Sequence, residues 1–181
     1  MADTEASATI ELKLTENLRH AIEHAFEEAE ASVREEGGML PFTIMCTSDG
    51  FDVADHPGNS TQEIYESVKA LLAREMPEAY AFAYDGYVET DAGRGDAILC
   101  EAAKRGDMEA YLLAVPYERD DEGGFAFAPT FLSAGTARPL YPHGTKPIVS
   151  GLIALAEERQ RAAELAAETG ESVSVSNGAG E

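Results

Sequence analysis

The sequence predicts an α+β fold. One antiparallel sheet, built from a hairpin and a meander of three or four strands, carries helices packed on one face in the order αββαββββα. Three observations predict it. Residues 79–132 hold four strand-like segments separated by short polar turns with glycine, and such turns force hairpins. Two earlier stretches place apolar residues at helical spacing between capping residues. The chain has 181 residues and no internal repeat, which suits one core rather than two. The expected organisation is a disordered N-terminus over 1–9, a single domain over 10–168 and a disordered acidic tail over 169–181.

Each element has a local reason. Thr15 is an N-cap residue for a helix running to Glu36, with Leu18, Ile22, Ala25, Ala29 and Val33 on one face. Leu14 extends that stripe, and Gly37-Gly38 ends the helix. Phe42 to Thr47 is a strand, Ser48-Asp49-Gly50 a hairpin turn, and Phe51 to Ala54 the return strand. Ser60 and Glu63 form a capping box for a helix that buries Ile64, Val68, Leu71 and Leu72 and stops at Pro77.

The meander strands are Ala79 to Glu89, Asp96 to Ala103, Met108 to Glu118 and Phe125 to Leu132. In the first, Tyr80, Phe82 and Tyr84 oppose Ala79, Ala81 and Ala83, so one face is large and the other small enough for a close helix. The third is apolar on both faces and belongs in the sheet centre. Pro129 cannot donate to a ladder, which puts the fourth at an edge. Arg138 to Pro147 holds three prolines and reads as extended loop; Ile148 to Glu168 reads as a last helix.

Charge narrows the functions. Asp and Glu number 34 against 13 Lys and Arg, a formal net charge of −21. Such a surface repels phosphates and anionic lipid, so neither nucleic acid nor membrane is an expected partner. The acidity suits a basic protein partner, adaptation to salt, or plain solubility. No apolar run is long enough to span a bilayer, and the polar start is unlike a secretory leader. Cys46 and Cys100 fall inside strands and read as lone buried thiols. These features place the protein in the cytoplasm.

Chemical motifs are few. His20-Ala21-Ile22-Glu23-His24 matches H-x-x-E-H and so resembles the zinc motif of the inverzincin peptidases. That resemblance implies His20 and His24 as ligands and Glu23 as the group activating water. On a helix, however, His20 and His24 point away from the apolar stripe, onto a solvated face. Asp49, Asp52, Asp55 and His56 surround the hairpin and can offer oxygen ligands to a hard cation, though Asp-Gly is also ordinary turn chemistry. Asp96, Glu101 and Lys104 have nearly the composition of a nuclease centre, but five positions along a strand turn Asp96 and Glu101 to opposite faces. No nucleophile elbow, phosphate loop or C-x-x-C is present. No catalytic residue and no cofactor is assigned.

The element order resembles that of roadblock/longin and profilin-like domains over about residues 15–168. The resemblance implies a non-enzymatic module that dimerises and organises other proteins. The expected function is therefore a protein-interaction or regulatory module acting on a protein partner or by self-association as a homodimer. The alternatives are an inhibitor, immunity or nucleic-acid-mimic protein with a basic partner, and a hydrolase built from scattered carboxylates and histidines.

Overall fold

The computed structural model describes residues 14–147 and 161–166. The expected N-terminal segment, most of the expected last helix and the expected tail lie outside the described residues. Within that last helix, residues 161–166 are helical and exposed. The chain divides into two units, Met1–Pro147 and Ile148–Glu181. The sheet and the two helices described next belong to the first unit.

Helix α1 spans Glu16–Glu36. The Thr15 hydroxyl accepts from the Leu18 amide, and Gly37 closes the helix in the left-handed region at φ 76°. Its buried face holds Leu18, Ala21, Ile22, Ala25, Phe26, Ala29 and Val33. Each large apolar side chain withdrawn there contributes roughly 1.5–3 kcal/mol. Strands β1 (Phe42–Thr47) and β2 (Gly50–Asp55) form the hairpin. Helix α2 spans Thr61–Glu75. Its capping box is shifted by one residue: Ser60 accepts from the Glu63 amide, but the Glu63 carboxylate accepts from Asn59.

The meander follows as β3 (Ala79–Thr90), β4 (Gly93–Lys104) and β5 (Ala110–Arg119). Two short strands complete the sheet, β6 (Phe125–Phe127) and β7 (Leu132–Ala137). The fold is α+β with one antiparallel sheet of seven strands, ordered β2-β1-β3-β4-β5-β6, with β7 also on β5. Strand β1 returns to β3, pairing Phe42 with Ala83 and Cys46 with Ala79. That long-range pairing joins the hairpin to the meander.

The two helices lie on opposite faces, which corrects the expectation of helices on one face. Helix α1 packs on Phe42, Ile44, Cys46, Ala79, Ala81, Ala83, Ile98 and Cys100. Helix α2 packs with Met45, Tyr80, Phe82 and Ala103, beside Leu140 and Tyr141 of the proline-rich loop. Successive strand residues alternate between faces, so the two clusters sit on the two sides of the sheet. The small alanine face receives α1, and the large aromatic face receives α2. Strand β1 is accordingly buried from Phe42 to Cys46 without alternation.

The expected strand from Phe125 to Leu132 is also corrected. It breaks at Ala128–Phe131, and a further strand, β7, begins at its last residue, Leu132, and runs to Ala137, ahead of the expected loop from Arg138. Both pieces pair with the outer edge of β5: Phe127 with Tyr117, and Leu132 with Ala114. Five steps along one strand (127 to 132) match three along the other (117 to 114), so two extra residues loop out beside Pro129. Pro129 lacks the N–H that would hold the ladder there.

Candidate functional site

The residues singled out in the sequence fall at three places. His20 and Glu23 are exposed on α1, and half-buried His24 lies with its ring centroid 6.2 Å from that of Phe51. Asp49, Asp52 and Asp55 are exposed around the β1–β2 hairpin. Asp52 pairs with Met45 and Asp55 with Phe42, so the two carboxylates face opposite sides of β2. His56 leaves this group altogether. It is buried, its Nε2 2.8 Å from the Thr43 hydroxyl and its Nδ1 2.9 Å from that of Ser67. Burial lowers its pKa, outweighing nearby Asp55, and so favours the neutral ring. Among the described residues no group of three or more His, Cys, Asp or Glu is placed to hold a metal.

Asp96 and Glu101 do occupy opposite faces: Asp96 pairs with Tyr87 and Glu101 with Phe82. Lys104 is ion-paired with Asp107. Glu101 instead enters a cluster that sequence reasoning missed. It is 5% exposed, and its Oε2 accepts from the Tyr84 hydroxyl at 2.8 Å and from the Tyr65 hydroxyl. Burial, then the bond to Glu101, pushes Tyr65 up to about 12. Tyr84 is raised too, by burial and then by the Glu101 charge. No histidine, lysine or second carboxylate is hydrogen-bonded to Glu101 among the described residues. Two phenols on one carboxylate join α2 to β3 and β4. Its sequence signal is a Glu inside the apolar run from Ile98 to Ala103.

Strand β2 is an open edge of the sheet. Among the described residues it pairs with β1 alone and ends the sheet. Every second residue of such a strand turns its N–H and C=O outward, without a ladder partner. Phe51 is 41% exposed and Val53 54% exposed. Their β1 partners, Cys46 and Ile44, belong to the cluster under α1, so both side chains stand on the α1 side. Asp49 caps the turn end of this shelf, while Asp52 and Asp55 stand along the strand. Charged side chains and breaks commonly protect edges. Here the acids are present, but there is no proline and no bulge in the β1–β2 register.

No helix among the described residues is long and apolar enough to cross a membrane. Cys46 and Cys100 are free and buried. Compared with known proteins, the chain matches no family model, no curated protein and no solved structure, so the roadblock and profilin likeness rests on element order alone.

Proposed function

We propose that this protein is a protein-interaction module that takes up an extended segment of a basic partner as an added strand on β2. The observation that carries the reading is the β2 edge, with Phe51 and Val53 exposed beside backbone that is unpaired among the described residues. Main-chain hydrogen bonds supply affinity in strand addition, and alternate side chains supply specificity. Asp49, Asp52 and Asp55 then favour lysine or arginine between the partner's apolar residues, and the net charge of −21 steers such a segment inward. Two free buried cysteines support a reducing, cytoplasmic setting.

The test is an amide NMR titration of the full chain with a capped peptide alternating Val and Lys. Saturable shifts over Gly50–Asp55 that weaken as salt rises are expected. Shifts absent from β2, or equal binding by a Val/Gln peptide, overturn the reading.

Self-association through β2 is the second reading. An antiparallel register centred on Val53 sets Asp52 opposite Ala54 and Phe51 opposite Asp55, so no two carboxylates face each other directly. Sedimentation distinguishes it: a dimer dissolved by Val53→Lys supports this form, and a monomer at all concentrations removes it.

A further inference from the structure

A carboxylate buried as deeply as Glu101 ordinarily has a cation or a backbone N–H against it. Here its partners are two neutral phenols, and both donate to the same oxygen, Oε2. Oε1 accepts from nothing among the described residues, yet no buried side-chain polar atom among them lacks a partner. Oε1 therefore reaches solvent from an otherwise buried residue.

The surroundings select the sign of an occupant. Strand alternation puts Glu101 on the α2 side of the sheet, with Phe82 and Leu112 as its cross-strand neighbours. On that side β3, β4 and β5 carry two charged residues, Glu101 and Glu118, both acidic. Lys69, one turn along α2 from Tyr65, is exposed and makes no ion pair with Glu101 among the described residues. The charges bearing on the phenols agree. Arg119 acts on Tyr117 and Arg105 on Tyr141, whereas Tyr65 and Tyr84 feel Glu101 and each other and no cation.

The shape selects the type of cation. Tyr65 and Tyr84 are half-buried, their ring centroids 6.5 Å apart and their planes at 66°. Phe82 is buried against both, 5.4 Å from Tyr65 and 5.0 Å from Tyr84. Ring faces attract cations. Leu99 and Leu112 on the same face are half-buried and offer apolar surface to an alkyl chain. A primary alkylammonium matches each feature, with its positive charge, its N–H donors and its apolar stem. A metal ion would find one carboxylate, where hard cations take six to eight oxygens or so. We infer that the Glu101 cluster is a binding site for a primary alkylammonium, with Glu101 Oε1 accepting from its N–H, the Tyr65 and Tyr84 rings flanking the charge, and Leu99 and Leu112 meeting the alkyl chain. The site lies on the opposite face of the sheet from Phe51 and Val53, and it takes a free amine or one lysine side chain, not a strand.

The test titrates the full chain, by amide NMR, with n-butylammonium chloride, n-butanol and Nα-acetyl-lysine amide. Butylammonium is expected to shift the Tyr84, Leu99 and Glu101 amides saturably. It should bind about tenfold more tightly than butanol, a margin that rising salt narrows and that Glu101→Gln erases. Gln keeps an acceptor for both phenols, so an unchanged spectrum elsewhere reports an intact fold. The salt dependence of the unaltered chain tests the charge even where the variant does not fold. Tighter binding of the capped lysine than of butylammonium assigns the site to a partner's lysine side chain, and the reverse assigns it to a free amine. Equal binding of butylammonium and butanol, or no saturable shift at these amides, overturns the site.

Discussion

The two edges of the sheet are built in opposite ways. On the β5 side the edge is covered. Strands β6 and β7 pair along it, and the register shifts between Leu112 and Leu113. Phe131 of the intervening loop stacks on Phe26 of α1 at 5.6 Å, and Arg34 lies over Phe127. On the other side β2 has, among the described residues, one neighbour, no bulge, and two large apolar side chains in solvent. A chain that breaks, bulges and packs one edge while leaving the other regular contains an asymmetry that folding alone does not require. That contrast supports reading β2 as the working edge.

The largest effect that sharpens this contrast is energetic. Leu113 in β5 is fully buried, so Leu113→Ala should cost about 2–5 kcal/mol. Val53→Ala in β2 should change stability by about 0.5 kcal/mol or less. Urea denaturation of the two variants checks this, and similar losses would mean that β2 is embedded in the fold as deeply as β5.

Next in size is binding. Phe51→Lys with Val53→Lys should weaken the Val/Lys peptide about tenfold or more without lowering the urea midpoint, because edge lysines oppose strand addition. Undiminished binding by this variant would break the comparison.

A smaller effect is expected from pH. His56 links Thr43 of β1 to Ser67 of α2, which ties the hairpin to the sheet. Its folded pKa is lowered from the ordinary 6.5, so the unfolded chain takes up the proton first as pH falls. Stability contributed by the neutral ring is full above the unfolded pKa and is lost between it and the lower folded value. The urea midpoint should drop from about pH 7 to about pH 5, and less steeply in His56→Gln. Parallel slopes for the two proteins would show that His56 is not the titrating group.

The smallest effect lies at alkaline pH. Tyr65 stays protonated to about 12 when folded, against 10.0 ordinarily. Above pH 10 the unfolded chain loses this proton first, so stability should fall as pH rises from there towards about 12. Absorbance titration should show this phenol ionising near 12 instead of 10.0, before the more strongly raised Tyr80, Tyr84, Tyr117 and Tyr141, and Tyr65→Phe should remove that step. Loss of an early step instead would detach Tyr65 from Glu101.

Much of the local structure was legible. The cap at Thr15, the glycine stop at Gly37 and the Ser60 start of α2 each depend on residues a turn apart or less, and hydrogen bonds that local are written in order along the chain. The candidate edge was half legible: Asp49, Asp52 and Asp55 stood out, but as a possible cation site. Nothing in those residues says that β2 has no second neighbour, because that depends on where β3 pairs. The Glu101 cluster was legible only as a Glu inside an apolar run, since Tyr65 reaches it from α2 only when that helix packs on the sheet.

The sequence by itself determined the helices, the turns, the α+β class and the acidic surface, because periodicity, caps, glycines and composition act over a few residues or over none. Only the tertiary structure decided that α1 and α2 take opposite faces, that β1 returns to β3, and that the Phe125 strand breaks into two. The physical reason is that an apolar stripe demands burial but does not name its cover. Strand β1 is apolar enough to be covered twice, and which helix lies on which side follows from pairings between residues far apart in the chain, such as Phe42 with Ala83.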